Sequence, residues 1–139
     1  MNLFVLDASI ALAWLLNEEA GSQADRAWLR LKNGDALVPR LWHFEVRNGL
    51  LVAMRRGRIA RDASAQLLRA LERFPIRTDV EPDLETAFDL ADRHRLTIDD
   101  AAYLEAALRN SAPLATLDKA LAQAAAECGL SLVGGRIGT

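Results

Sequence analysis

The chain has one cysteine, two histidines, four prolines and eight glycines, and each scarcity closes off a class of protein. A lone Cys128 cannot form an internal disulfide, which suits a reducing cytoplasm. With no Cys or His cluster beside it, it reads as a packed or surface thiol near a helix end. His43 and His94 are not spaced as a metal pair, which points away from zinc, and both read as surface or capping side chains. The apolar stretches at residues 3–6 and 10–16 fall far short of the ~20 residues that a membrane span needs. The start also lacks the basic segment of a secretion signal, so a soluble, cytoplasmic chain is expected.

Neither sign of charge is in excess. Seventeen Lys and Arg face nineteen Asp and Glu, for a net charge of −2, so bulk electrostatics do not mark a nucleic-acid binder. Any positive surface must be local. The candidate is Arg55-Arg56-Gly57-Arg58-Ile59-Ala60-Arg61, four arginines without an acid. It reads equally as a solvated helix connection or as a patch that contacts phosphate or a partner.

What is present is enough for a core. Apolar residues make up 51% of 139 residues, no repeat or linker interrupts them, and a single domain over residues 1–139 is expected. Short apolar runs alternate with longer helical patterns, which predicts an α/β fold: a three-layer α/β/α sandwich around a central parallel sheet. Strands are predicted at 3–6, 36–38, 75–78, 114–117 and 130–133. Helices are predicted at 10–16, broken by Asn17-Glu18-Glu19, then at 23–32, 41–54, 63–74, from Pro82 in the first turn to 94, at 97–109 and at 119–128.

This layout sets the carboxylates apart. Asp7 follows the first strand and Asp118 the fourth, so in a parallel sheet both leave from the carboxyl-terminal edge, where open α/β folds bind ligands. Each could instead cap the helix that follows it. Glu45 is the only acid between Asp35 and Asp62, and its helical neighbours Leu41, Trp42, Asn48, Gly49 and Val52 are mostly apolar or small. A half-buried glutamate there is costly without a cation or partner. Asp99 and Asp100 open a helix, and Asp100 aligns with the inner face of Tyr103, Leu104 and Ala107. Thr97 to Asp100 also reads as a capping-box variant. Carboxylates within ~4 Å of one another repel by roughly 4 kcal/mol per pair at an effective dielectric near 20. Several share a pocket only when some protonate or a cation joins them. An oxygen-only set favours a hard ion, Mg²⁺ or Mn²⁺.

In four blocks the sequence resembles the PIN-domain nucleases, and most closely the VapC-type toxins of toxin–antitoxin pairs. These blocks are Val5-Leu6-Asp7-Ala8-Ser9, Phe44-Glu45-Val46-Arg47-Asn48, Leu96-Thr97-Ile98-Asp99-Asp100-Ala101-Ala102-Tyr103-Leu104, and Leu114-Ala115-Thr116-Leu117-Asp118-Lys119-Ala120-Leu121. They fall in the family's order and spacing along essentially the whole chain. The resemblance implies Asp7, Glu45, Asp100 and Asp118 as the catalytic, metal-holding acids, with Ser9, Asn48 and Thr116 as polar neighbours. Asp99 departs from the pattern, at a position often aromatic in the family, and leaves the choice between it and Asp100 open. The implied reaction is hydrolysis of RNA phosphodiesters with Mg²⁺ or Mn²⁺. The implied partners are a cognate antitoxin and a second copy of the chain, as a homodimer. The apolar helix pair over 41–74, with Leu50, Leu51 and Met54, is the expected antitoxin surface.

Two other readings compete. A receiver-type phosphoryl-transfer domain would use Thr116 and Lys119, with Asp79 as the phospho-acceptor, but leaves Glu45 without a role. A binding protein without catalysis would make the acids structural.

Overall fold

The computed structural model describes residues 2–18 and 21–134. Glu19 of the predicted helix break and the two ends of the predicted domain, residue 1 and residues 135–139, lie outside the described residues. The elements run β1 (Leu3–Leu6), α1 (Ala8–Leu15), α2 (Gly21–Asn33), β2 (Asp35–Pro39), α3 (Arg40–Arg55), α4 (Arg61–Leu71), β3 (Ile76–Asp79), α5 (Leu84–His94), α6 (Ile98–Arg109), β4 (Leu114–Ala115) and α7 (Lys119–Glu127).

Four strands form one parallel sheet in the order β3-β2-β1-β4. Phe4, Val5 and Leu6 of β1 are fully buried, as the unbroken apolar run predicted for a strand covered on both faces. The chain steps outward from β1 through β2 to β3, then returns past β1 to place β4 on its other side. Right-handed crossovers therefore send the two halves to opposite faces of the sheet. In keeping with this, α1 packs on α2 and α3, and α3 on α4, while α6 packs on α5 and α7. The reversal of direction falls between β1 and β4. That is the topological switch point, where an open α/β sheet leaves a crevice beyond the strands' carboxyl ends.

Several boundaries differ from expectation for local reasons. Pro82 is not in the first turn of α5. It precedes the N-cap Asp83, whose side chain accepts a hydrogen bond from Thr86 N at 3.1 Å. β4 ends at Ala115, and after Thr116 the amides turn to side chains: Leu117 N donates to Ser9 Oγ and Asp118 N to Thr116 Oγ1, both at 3.0 Å. The strand predicted at 130–133 is reduced to one bridge between Leu114 and Leu132, after which Gly134 turns the chain at φ +88°. Among the described residues, no helix is long and apolar enough to cross a membrane.

Candidate active site

Asp7 sits at the end of β1 in the N-cap position of α1, yet its side chain makes no cap hydrogen bond. The capping alternative therefore fails for Asp7. Its Oδ2 instead accepts from Ser9 Oγ and from Thr116 Oγ1, each at 2.6 Å. Those hydroxyls have no freedom to turn around, because each also accepts a backbone N–H, from Leu117 and Asp118 respectively. Both protons thus point at one buried carboxylate oxygen. Asp7 is only 6% exposed. Burial pushes its carboxyl above the usual range, the Ser9 and Thr116 hydroxyls oppose this, and the charge of Asp118 adds to it.

Asp118 both caps and faces the site. Its Oδ1 accepts from Leu121 N at 3.1 Å as the N-cap of α7, which leaves the other oxygen available. Its nearness is felt by Asp7 and by Asp100. Asp100 lies in the first turn of α6, where Thr97 caps the helix by accepting from Asp100 N at 3.1 Å. Burial raises the Asp100 carboxyl, and the charges of Asp118 and Asp7 raise it further, against the Thr97 hydroxyl. Asp99 is exposed on the same turn, and its charge acts on both Asp100 and Glu45.

Glu45 comes from the second turn of α3, whose start is carried to the same sheet edge by β2. Burial raises its carboxyl, and the charges of Asp7, Asp99 and Asp100 add to this. One partner opposes the shift: the Tyr103 hydroxyl donates to Glu45 Oε1 at 2.5 Å. Tyr103 is fully buried and lies on α6, so this bond ties the two helical layers together over the edge of the sheet. Burial and the charges of Asp7 and Glu45 hold the phenol far above its ordinary value, so it serves as a donor. Sequence reasoning placed Tyr103 on the inner face of its helix without giving it a role. The available signal was that the chain's only tyrosine lies one turn after Asp100, and that a buried phenol needs a partner.

The four acids thus act electrostatically on one another from four elements, beside the switch point. Ser9 and Thr116 belong to the site as donors to Asp7. Asn48 does not join it: it is exposed and makes no hydrogen bond to these acids. The expected surface roles of the histidines are also corrected. His43 is half-buried and its Nε2 pairs with Thr78 Oγ1 of β3 at 2.8 Å, while His94 lies between Glu127 and Cys128. Leu50, expected on an exposed apolar surface, is core at 2% exposure, whereas Leu51 beside it is 42% exposed. Asp79, the phospho-acceptor of the receiver-type reading, is held by Arg109 at 2.5 Å, and Arg109 also binds Glu105 at 2.7 Å.

The acids line none of the described cavities, and Glu45, Asp100 and Asp118 are half-buried, so the site is open on one side. As the side chains stand, no three His, Cys, Asp or Glu groups among the described residues close tightly enough to form a metal-binding cluster. The donor set nevertheless suits a hard divalent cation. It is all oxygen, partly desolvated, and strained by like charge that a cation would relieve.

Known proteins resemble the chain in sequence and in fold. The chain is 35% identical over 122 residues to ribonuclease VapC3 of Pyrobaculum aerophilum, covering 86% of this chain and 92% of that one. It superposes on the crystal structure of PAE2754 from the same organism with a TM-score of 0.70 and 25% identity, covering 89% of this chain and 86% of the other. The PIN domain family profile matches residues 4–127, a span that contains Asp7, Glu45, Asp100 and Asp118 together with the sheet that gathers them. By its sequence and by the sheet edge that sequence builds, the chain belongs to the PIN-domain family.

Proposed function

We propose that this protein is a divalent-metal-dependent endoribonuclease, the toxin of a toxin–antitoxin pair, and that it hydrolyses RNA phosphodiesters. One observation carries the reading. Asp7, Glu45 and Asp100 are each raised above the ordinary carboxylate range, by burial first and by other acids of the same group second. A structural salt-bridge network would hold carboxylates down. A group of acids without a basic partner among the described residues is arranged to receive positive charge from outside the chain.

In this reading Asp7, Asp100, Asp118 and Glu45 hold the ion, Mg²⁺ or Mn²⁺, because oxygen donors without His or Cys suit hard cations. When bound, the cation supplies Lewis-acid activation and neutralises charge on the attacking and leaving oxygens. The chain's own residues do the rest. Ser9 and Thr116 fix the orientation of the Asp7 carboxylate, and Tyr103 fixes that of Glu45. The open side of the site admits a polymer, and a raised carboxyl such as that of Glu45 or Asp100 can accept a proton from water as it attacks phosphorus. No covalent nucleophile is required.

The reading extends to partners. A cognate antitoxin restrains the activity, as the VapC-type relative suggests. A second copy of the chain packs on the apolar patch of Val80, Leu84 and Phe88, which are 60%, 69% and 70% exposed. The site of action is the cytoplasm. The test is cleavage of a single-stranded RNA with Mg²⁺ or Mn²⁺, by the native protein and by Asp7→Asn. Cleavage by the native protein alone supports the assignment; equal cleavage by both would remove the acids from it.

A further inference from the structure

The arginine-rich segment has no part in the acidic site, and its position in the fold gives it one in binding. Residues 46–61 contain Arg47, Arg55, Arg56, Arg58 and Arg61 and no acid, in a chain whose net charge is −2. Arg55, Arg56, Arg58 and Arg61 are all exposed around the turn between α3 and α4, where Gly57 adopts φ +72°. Arg58 pairs with Glu18 at 2.6 Å. Arg55, Arg56 and Arg61 form no hydrogen bond or ion pair with another side chain among the described residues, whereas Arg77 and Arg109 each pair with acids.

The turn is rigidly connected to the site. α1 starts at Asp7 and α3 carries Glu45; the two helices pack together so closely that a Cβ on Gly49 would fall 2.5 Å from Leu12 Cδ1. The Arg58–Glu18 pair joins their far ends. From Glu45 to Arg55 the helix rises about 15 Å, at 1.5 Å per residue. Along that length Phe44, Asn48, Leu51 and Arg55 lie at i, i+4, i+7 and i+11, on one exposed face. Phe44 is 74% exposed although it is adjacent to Glu45.

The geometry points to this face of α3, continued by Arg55, Arg56 and Arg61, as the track along which single-stranded RNA leaves the acidic site. An exposed aromatic ring one residue before Glu45 can stack on a base, and guanidinium groups further along can take phosphates; single-strand binders combine these two features. About 15 Å corresponds to roughly four stacked nucleotides at 3.4 Å each. A polyanion approaching several carboxylates needs compensating charge nearby, and this segment concentrates it. A protein partner would favour an apolar strip, but of Phe44, Asn48, Leu51, Arg55, Arg56 and Arg61 only Leu51 is aliphatic. The inference rests on the nuclease reading.

The test measures binding apart from cleavage. A fluorescent 15-nucleotide RNA is titrated by anisotropy, in EDTA, with the native protein and with three variants: Arg55→Gln/Arg56→Gln/Arg61→Gln, Phe44→Ala, and Arg93→Gln on α5 as a charge control. Melting curves check that each is folded. Each lost phosphate contact lowers the slope of log K against log[salt] by about 0.7 on single strands, which is about fivefold in affinity at 0.1 M. The triple variant should therefore bind about 100-fold more weakly at 0.1 M salt with a slope lower by about 2, Phe44→Ala should bind several-fold more weakly, and Arg93→Gln should bind as the native protein does. Native-like affinity in the folded triple variant overturns the track, and so does an equal loss in Arg93→Gln. Retained RNA affinity with lost binding of a protein partner reassigns the arginines to that partner. The nuclease reading fails separately, if native protein binds this RNA but Asp7→Asn cleaves as well as native.

Discussion

Asp7→Asn should make the metal-free protein more stable while abolishing cleavage. The Asp7 carboxyl is buried and raised above the ordinary carboxylate range. The folded chain therefore holds this proton more tightly than the unfolded chain does. The stability it contributes is complete below the unfolded value and is lost as pH rises through the folded one. Asp100 and Glu45 are raised as well and add the same trend. Native protein in EDTA should thus be more stable in mild acid than at pH 8. Asn keeps an oxygen to accept from Ser9 and Thr116, at a loss of about 1 kcal/mol for each hydrogen bond that no longer ends on a charge. Against this, removing the charge relieves a desolvation penalty of several kcal/mol. It also relieves repulsion between Asp7 and the neighbouring acids, which water at the open side of the site screens. The net should be about 1–3 kcal/mol in favour of the variant at pH 8.

Thermal melting checks this directly. At about 3–5 °C per kcal/mol for a domain of this size, Asp7→Asn should melt about 3–15 °C above native protein at pH 8 in EDTA. The gap should close at low pH, where native Asp7 is protonated. Added Mn²⁺ should reverse the order, because a ligand at 100 times its Kd stabilises the native protein by about 2.7 kcal/mol and the variant lacks one of its holders. If Asp7→Asn melted below native protein at pH 8 and the gap closed only in acid, Asp7 would be a stabilised charge and the argument from repulsion would be wrong.

Three further changes probe the supports of the site. Tyr103→Phe removes the bond to Glu45 and should cost about 1–2 kcal/mol in melting experiments; because that bond lowers the Glu45 pKa, the acid limb of the cleavage rate against pH should move to higher pH. Thr116→Val removes a donor to Asp7 and orphans Asp118 N, so it should cost about 2–3 kcal/mol and most of the activity, and Thr116→Ser should recover both. Arg109→Met leaves Glu105, 2% exposed, without its cation and should cost about 3–5 kcal/mol by denaturant titration.

The legible part of this fold was local. Alternating apolar runs and helical periods gave the parallel sheet, and the positions of Asp7 and Asp118 just beyond strands gave the edge on which the acids lie. What could not be read was which strands are neighbours. β1 touches β4 across more than a hundred residues of chain, and only that pairing brings Thr116 onto Asp7. The Glu45–Tyr103 bond was hidden for the same reason: its partners are 58 residues apart and lie in different layers. The overlong β4 was a different kind of error. Leu114 to Leu117 has strand character throughout, but Leu117 N and Asp118 N donate to hydroxyls rather than to a ladder, and a pattern of apolar residues carries no sign of that.

Helix phase sets Asp99 and Asp100 apart. Both acids stand in the first turn of α6, and both raise Glu45. Asp100 lies three residues before Tyr103 and four before Leu104, both fully buried, so its side chain projects over the face that covers the sheet. Asp99 is turned about 100° away and remains exposed. Asp100 accordingly feels Asp118 and Asp7 ahead of Asp99, whereas Asp99 reaches the site only as a charge at its rim. Thr97 makes this arrangement possible. It caps α6 through its own hydroxyl, so no acid of the group is spent as the N-cap there, whereas Asp118 is itself the N-cap of α7.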